Sequence, residues 1–159
     1  MIRLMNSRWV IVLGATLLSG CGDTLSSSPR TVCISGYNQN DRKIHMFWLD
    51  NESKAGCWGN PPGREVDQVY GGGGGFNCGC RVTPGKQVSL TWSLARSLKE
   101  FEAGVLRQEF STLVTIPQPE SSTSRYFRAY FMKDGTAKLQ WVDNMGAPEL
   151  SPTSAGDLP

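Results

Sequence analysis

Apolar and polar residues alternate along five separate stretches of the chain, and this alternation is its clearest sequence pattern. Successive side chains of a β-strand point to opposite faces of the sheet, so each stretch predicts a strand with one buried face. In the first of them Ile44, Met46 and Trp48 share the more apolar face. The five stretches are Lys43–Trp48, Val88–Ser93, Phe110–Ile116, Tyr126–Phe131 and Ala137–Trp141, and a sixth strand is expected over Val32–Tyr37.

The last two predicted strands are separated by the turn sequence Lys133-Asp134-Gly135-Thr136. Asp-Gly between two alternating stretches is the strongest short-range signal for a β-hairpin. We therefore expect strands 126–131 and 137–141 to be antiparallel neighbours. The turn is expected to be of type I′, in which both central residues have a positive φ angle.

Composition agrees with a fold made of short strands and turns. Glycine (18) and proline (9) account for 27 of the 159 residues, which argues against a helix bundle. Six strands within residues 31–143 bury their apolar faces when two sheets pack against each other. The expected fold class is all-β: a disulfide-stapled β-sandwich of about six to seven strands.

One stretch of the chain conflicts with a purely β pattern. Leu94, Leu98, Phe101 and Val105 recur at helical spacing, and the residues between them include good helix formers. The alternatives are a short helix near residues 95–104 or an irregular crossover between strands.

The N-terminus has the features of a bacterial secretion signal. Arg3 and Arg8 supply positive charge, and Trp9–Leu18 is an apolar run about half as long as a membrane span, which needs about 20 residues. The sequence Leu18-Ser19-Gly20-Cys21 then resembles a lipobox, in which the cysteine is acylated and becomes the new N-terminus. An ordinary cleaved signal beside an incidental cysteine is the alternative interpretation.

The lipobox implies an anchored mature protein with a simple domain organisation. Residues 1–20 are the signal peptide, 21–30 a lipidated tether, 31–143 the β-sandwich domain and 144–159 a disordered tail. Acyl chains such as palmitate on Cys21 would hold the protein on a membrane without a spanning helix. Gly22, rather than Asp, follows the cysteine, and by resemblance this favours the outer membrane, with the domain facing the periplasm.

Charge gives no indication of a nucleic-acid or anionic-membrane partner. The full chain has a formal charge of +2, with 16 Lys and Arg against 14 Asp and Glu. Removal of Arg3 and Arg8 with the signal peptide leaves 14 of each sign. A neutral mature chain lacks the basic surface that nucleic-acid binding requires, so that class of partner is not expected.

Four cysteines remain once Cys21 is assigned to the lipid. An exported chain lies where disulfides persist, so they are expected to form two bridges, whose pairing the sequence leaves open. Cys78 and Cys80 are two residues apart and would point to the same side of a strand, so they are expected to bond to Cys33 and Cys57 rather than to each other. A four-thiolate metal site is the alternative, but zinc sites usually contain Cys-x-x-Cys pairs, and only Cys-Gly-Cys occurs here.

The sequence contains no recognisable catalytic motif. Gly-x-Ser-x-Gly, His-Glu-x-x-His and a glycine-rich loop ending in Lys-Ser/Thr are all lacking. The single histidine, His45, is expected to be a surface or packing residue of a strand. Paired carboxylates could come from a scattered set of acids, but their spacing favours solvated loop charges: Asp41, Asp50, Glu52, Glu65 and Asp67. We therefore expect no enzyme, metal site or cofactor.

The long connection over residues 50–77 is the best candidate for binding a partner. Connections longer than about 12–15 residues are uncommon unless they are functional or disordered, and Cys57 would pin this one. Tryptophan, tyrosine and arginine dominate interface energetics. The Gly71–Gly75 run is either a binding loop or a turn that lets the chain reach its disulfide, and the aromatic residues could instead close one end of the sandwich. The candidate partner-binding residues are Trp58, Arg64, Tyr70, Gly73 and Phe76.

An ordered set of short motifs resembles one family of small bacterial lipoproteins of unknown function. The motifs cover most of the mature domain, and they follow in this order: Ser35-Gly36-Tyr37-Asn38, Asp41-Arg42 with Ile44, Gly71–Gly75 with Cys78 and Cys80, Pro84-Gly85, Val88-x-Leu90-x-Trp92, Val114-x-Ile116-Pro117 and Tyr130-Phe131-x-x-Asp134-Gly135. This chain differs from the family pattern in having Gly79 between the two cysteines and Gln39 in place of a histidine. The segment 51–67 is particular to this chain.

The resemblance implies a function by association. Members of that family are often encoded beside phospholipase effectors of type VI secretion, and some resemble lipoproteins that protect the producing cell. We therefore expect an immunity protein that binds a cognate lipase effector and blocks it sterically. The alternative is an envelope binding or assembly accessory that recognises a glycan or another envelope protein.

Overall fold

The computed structural model describes residues 28–73 and 75–151. The signal peptide, Cys21, most of the tether and residues 152–159 lie outside this part. The described part contains nine strands, one short α-helix and one 3-10 helical turn over Asn51–Ser53. The strands and the α-helix are β1 (Arg30–Asn38), β2 (Ile44–Leu49), β3 (Cys57–Gly59), β4 (Gly71–Gly72), β5 (Asn77–Val82), β6 (Gln87–Leu94), α1 (Leu98–Glu102), β7 (Glu109–Thr115), β8 (Tyr126–Phe131) and β9 (Ala137–Val142). The all-β fold class and the six predicted strands are confirmed. The additional strands β3, β4 and β5 lie in or just after the long connection.

The strands form two sheets that pack as a sandwich. The first sheet has the order β4-β1-β8-β9, with β5 beside β4 on the same edge of β1. β4 pairs with Tyr37 and Asn38, whereas β5 pairs with Arg30–Ile34, and β1 runs parallel to β8. The second sheet has the antiparallel order β3-β2-β6-β7. The N-terminal strand β1 is therefore central in the first sheet, although the sequence pattern around it is weak.

The main core lies between the two sheets and is rich in aromatic rings. The ring of Phe131 on β8 lies 5.0 Å from the ring of Phe47 and 5.3 Å from that of Trp92, both in the second sheet. Further along the same face of β8, the rings of Phe127 and Trp141 are 4.9 Å apart. Full burial of each such side chain contributes about 1.5–3 kcal/mol, so this core supplies most of the driving force for sandwich formation.

The outer face of the first sheet is covered as well. Tyr37, Tyr70, Tyr130 and Met132 form a second buried cluster there, against which Leu150 packs. This explains why β8 is buried on both faces, whereas its alternation predicted one exposed face. A sandwich with a covered outer face needs a third layer, and the long connection and the C-terminal segment provide it.

The C-terminal segment is held in place by a buried arginine. Arg128 on β8 is only 1% exposed, and its guanidinium donates to the carbonyl oxygens of Met145 (2.7 Å) and Pro148 (3.0 Å). The backbone N–H of Leu150 donates to the Tyr130 hydroxyl at 3.4 Å. The prediction of a disordered tail from residue 144 is therefore wrong for residues 145–150, because a buried cation requires these carbonyl acceptors.

Two disulfides join the strands as the cysteine count predicts. Cys33 bonds to Cys78 within the first sheet, and Cys57 bonds to Cys80 across the two sheets. The prediction that Cys78 and Cys80 share a side of their strand is wrong, since Cys80 lies opposite Val32 and Cys78 opposite Cys33. A β-bulge at Gly79, with a φ of 91°, inserts the extra residue that turns the two sulfurs to opposite faces.

The Asp-Gly hairpin forms, but with a different turn from the predicted type I′. Only Gly135, with a φ of 83°, has positive φ in this turn. Met132 N–H donates to the Thr136 carbonyl at 2.9 Å, leaving a loop of three residues with glycine in the left-handed position. The Asp134 carboxylate accepts hydrogen bonds from the Thr136 backbone and hydroxyl, which favours this turn over the two-residue one.

The helical spacing near residues 95–104 corresponds to a helix of five residues, α1. Ser97 accepts a hydrogen bond from the Glu100 N–H, and the Glu100 carboxylate accepts one from the Ser97 N–H, forming a capping box. None of the helical residues is buried. Among the described residues, no helix has both the length and the apolar character that spanning a membrane requires.

Candidate binding surface

Two exposed tryptophans lie side by side on the outer face of the second sheet. Trp58 on the edge strand β3 is directly opposite Trp48 on β2, with ring centroids 6.2 Å apart. Their side chains are 39% and 37% exposed, whereas their strand neighbours Cys57, Phe47 and Leu49 are buried. Large aromatic side chains exposed together in this way are a feature that soluble proteins usually reserve for contacts with other molecules.

The position of Trp48 corrects the predicted orientation of β2. Its alternation placed Ile44, Met46 and Trp48 on one face of the sheet. A register shift between Ile44 and Met46 reverses the face to which each later side chain of the strand points. Phe47 and Leu49 consequently point into the core with Ile44, and Trp48 points outward. Because a one-residue shift exchanges the two faces of a strand, alternation alone could not identify Trp48 as a surface residue.

A side cavity of about 460 Å³ lies next to Trp58, at the edge where the two sheets are joined by Cys57–Cys80. Phe76 forms part of its wall and is supported edge-on by the Tyr126 ring, 5.8 Å away. The described residues that line it carry no ionisable side chain, and they include Trp58, Pro61, Pro62, Gly73, Phe76 and Asn77. The cavity therefore suits an uncharged or apolar group.

The glycine run shapes this cavity through close backbone contacts. Gly73 has a φ of 75°, and its N–H donates to the Gly36 carbonyl at 3.1 Å. A side chain at Gly71 would meet the backbone of Gly63, and one at Gly73 would meet the Tyr37 ring. At these positions glycine is required so that the loop can pack against β1, whereas Gly75 faces open space.

A groove of about 640 Å³ continues from Trp48 across the second sheet. The register of the four strands aligns Trp58, Trp48, Thr91 and Ser111 in one row across them. His45, Arg107 and Glu109 lie at one side of the groove. The side cavity, the tryptophan pair and the groove thus form one surface, which we call the aromatic surface.

The five candidate partner-binding residues do not all lie on the aromatic surface. Trp58, Gly73 and Phe76 converge on the side cavity. Arg64 lies outside it, where its side chain pairs with the Asp41 carboxylate at 2.8 Å. Tyr70 is 5% exposed within the tyrosine cluster, so the structure does not present it as a partner-binding residue: the ring is buried where the connection folds over the first sheet.

Two of the five acidic residues that the sequence offered as carboxylate pairs, Asp41 and Asp50, form ion pairs with different basic side chains. Asp41 contacts Arg64 and also Lys133, whose ammonium lies 3.8 Å away. Asp50 accepts a hydrogen bond from the Lys86 ammonium at 2.8 Å. Burial would raise the pKa of Asp50, but its hydrogen bonds with Lys86 and Ser53 and the Lys86 charge lower that pKa overall. Within residues 28–73 and 75–151, no three His, Cys, Asp or Glu side chains are grouped as a metal site.

Comparison with known proteins does not assign the chain to a family. No protein-family model matches it, and no match was found among curated proteins or solved structures. A functional proposal therefore rests on the motifs of the sequence and on the chemistry of the aromatic surface.

Proposed function

We propose that this chain is a lipoprotein of the outer membrane that faces the periplasm and acts as an immunity protein. It binds an antibacterial phospholipase effector of type VI secretion and blocks access to the active site of that enzyme. The sequence Leu18–Cys21, which resembles a lipobox, supports the location, and the resemblance of the ordered motifs to those of lipase-associated lipoproteins supports the partner.

The exposed tryptophan pair is the single observation that most favours a protein-binding role. Trp58 and Trp48 present two large rings on one face, and tryptophan is enriched among the few residues that dominate binding energy. Trp58 also lines the side cavity, so a partner could place an apolar side chain beside the ring. A standard interface covers about 800 Å² on each partner, which is wide enough to cover the mouth of a lipase.

The disulfide at the edge of the sandwich reduces the conformational entropy that β3 and its tryptophan would lose when a partner binds. β3 has only three residues, yet Cys57 beside Trp58 is bonded to Cys80 of the other sheet. A short edge strand would otherwise be free to fray, and ordering it upon binding would weaken the complex. The disulfide orders the tryptophan pair before any partner arrives.

The lipid anchor increases the chance of meeting a toxin that attacks membranes. Residues 22–30 could extend at most about 30 Å from Cys21, so the domain would remain within that distance of the bilayer. Confinement of both proteins near one membrane raises their effective concentration. Steric blocking needs no catalytic group on the inhibitor, in accord with the expectation that this chain is not an enzyme.

The proposal can be tested in the strain that encodes the chain. Deletion of the gene should make cells sensitive to siblings that deliver the lipase effector, and the wild-type gene should restore survival. A Trp48→Ala/Trp58→Ala double variant should fail to restore it at equal periplasmic abundance. Leu113→Ala removes another exposed apolar side chain from the same sheet and should protect as the wild type does. Full survival of the deletion strain would refute the proposal.

Glycan recognition is a second candidate function, and one observation favours it. The row Trp58, Trp48, Thr91 and Ser111 places two aromatic rings beside two hydroxyl groups, a combination suited to sugar rings. Retention of the wild-type chain, but not the double tryptophan variant, on isolated peptidoglycan in the absence of an effector would support this candidate.

A further inference from the structure

The two ends of the sandwich differ in a way that bears on how a partner is bound. At one end, which we call the base, β1 begins and the Arg30 guanidinium contacts the Ser121 carbonyl at 3.3 Å. At the other end, the apex, the loop after β1 meets the segment before α1: Ala95 N–H donates to the Lys43 carbonyl at 2.8 Å. The nine residues of β1 separate base from apex by about 30 Å.

The apex carries four exposed apolar side chains on α1 and the residues after it. Leu98 and Leu106 are 72% and 86% exposed, and Phe101 and Val105 are also exposed. We call these four residues the apolar tip. Leu98, Phe101 and Val105 belong to the helical spacing that left a short helix or an irregular crossover open, and the helix that forms buries none of its residues. The side chains that would normally enter a core therefore point to the surroundings.

The apolar tip is fixed in position rather than loosely attached. Arg96 closes the segment, because its guanidinium donates to the Val105 carbonyl at 2.8 Å and lies 4.8 Å from the centre of the Phe101 ring. Arg42 attaches the segment to the loop after β1 by donating to the Ala95 carbonyl and pairing with the Glu100 carboxylate at 3.1 Å. A rigid projection loses little conformational entropy when it enters a complementary recess.

The position of the tether argues against the anchoring membrane as the partner of the tip. The lipidated segment joins the domain at Arg30, at the base, whereas the tip lies at the apex. Because the tether attaches at the base, the tip is the end of the domain furthest from the lipid attachment, about 30 Å beyond Arg30. An apolar projection in that position suits the recess of another protein.

We propose that the apolar tip enters the acyl-chain recess of the lipase effector and occupies the place of substrate there. This inference rests on the proposed function and adds to it the element that fills the active site. A phospholipase must offer an apolar channel to the acyl chains of its substrate, and leucine and phenylalanine side chains complement such a channel. The aromatic surface then contacts the rim around the recess, because its groove and the tip are adjacent: His45 and Arg107 line both the groove and the pocket beside Leu98 and Phe101.

The test compares equilibrium binding of two variants of the full mature chain to the lipase effector purified from the same strain. Leu98→Ser/Leu106→Ser should raise the Kd, measured by calorimetry, at least about thirtyfold, as expected for a central hot spot. Leu113→Ser, which changes a similarly exposed leucine outside the tip, should alter the Kd less than about threefold. Since the tip residues are not buried, both variants should keep the wild-type urea midpoint.

The outcomes separate this inference from the proposed function. Equal binding of the wild type and the tip variant would overturn the tip as the inserted element and leave the immunity role standing. Failure of the wild type to bind the effector would overturn both. If the wild type sediments with phosphatidylglycerol vesicles and the tip variant does not, the tip binds a membrane. If the wild type self-associates and the tip variant does not, the tip binds a second copy of the chain. Either result would overturn the inference.

Discussion

Arg128 and Met145 are joined by a 2.7 Å hydrogen bond that ties the C-terminal segment to the centre of the first sheet. The same guanidinium donates to the Pro148 carbonyl and lies 5.1 Å from the centre of the Tyr37 ring. A buried guanidinium needs hydrogen-bond acceptors, and two of the acceptors of Arg128, the Met145 and Pro148 carbonyls, come from outside the sandwich strands. Residues 145–150 are therefore part of the folded domain.

Replacement of Arg128 by Met should release the C-terminal segment. The loss of its charged hydrogen bonds should lower the free energy of unfolding by about 2–4 kcal/mol, measured by urea denaturation. Limited proteolysis should also cut residues 145–151 faster. Arg125→Met changes an exposed arginine three residues away and serves as the control. Equal stability of the two variants would contradict the importance of this clamp.

Each disulfide should contribute substantially to stability. Cys33–Cys78 and Cys57–Cys80 span sequence separations of 45 and 23 residues. Loop-closure entropy then predicts a loss of about 4 and about 3.5 kcal/mol when either pair is replaced by alanine. Urea unfolding of the two double variants against the oxidised wild type measures both values. A loss below about 1 kcal/mol for either pair would contradict this prediction, since it would mean that the other contacts hold the joined strands together without the disulfide.

Acid should destabilise the domain. Hydrogen bonds from the Thr136 hydroxyl and backbone lower the pKa of Asp134, and hydrogen bonds from the Ser124 and Ser121 hydroxyls lower that of Asp143. A carboxyl group whose folded pKa lies below its unfolded value stabilises the fold above the unfolded pKa, near 4. That contribution is lost as the pH falls through the folded pKa.

Urea midpoints of the wild type measured at pH 6, 4 and 3 should therefore fall with pH. Asp134→Asn removes one titrating group from the hairpin turn, so its midpoint should depend less steeply on pH. Identical pH profiles of the variant and the wild type would contradict a role for Asp134 in acid unfolding.

The capping box of α1 should control local rather than global stability. Ser97→Ala removes an N-cap, which typically costs about 1 kcal/mol, so amide exchange at Glu100 and Phe101 should accelerate by about fivefold. Glu100→Gln keeps a side chain that can complete the box and should have a smaller effect. The urea midpoint should be unchanged in both, because the helix buries nothing. Unaltered exchange in Ser97→Ala would show that Arg42 and Arg96 alone hold the apolar tip.

Much of the fold could be predicted from sequence because it is encoded locally. Alternation identified five of the strands, β2, β6, β7, β8 and β9, since a half-buried strand carries its own pattern. Cysteine number predicted two disulfides, but the spacing argument for outward bonds rested on a wrong premise, because the bulge at Gly79 turns Cys78 and Cys80 to opposite faces. β3 and β4 escaped prediction because three and two residues carry no periodicity, and pairing with distant strands defines them.

The candidate site was only partly predictable for related reasons. Trp58, Gly73 and Phe76 were identified by composition, but Trp48 was assigned to the wrong face by a bulge that alternation does not reveal. Tyr70 was misassigned because a tyrosine in a long connection can cover a sheet as readily as bind a partner. The alternation of β8 predicted that the Arg128 side chain is exposed to solvent. The side chain is buried because the C-terminal segment folds over it.

The central claim, that this chain inhibits a lipase by covering it, is tested most directly by titration of enzyme activity. The purified effector should hydrolyse phospholipid vesicles, and addition of the mature chain should reduce the rate linearly to zero at one equivalent. The Trp48→Ala/Trp58→Ala variant should require a large excess for the same effect. Hydrolysis that continues unchanged in the presence of excess wild-type chain would contradict the account.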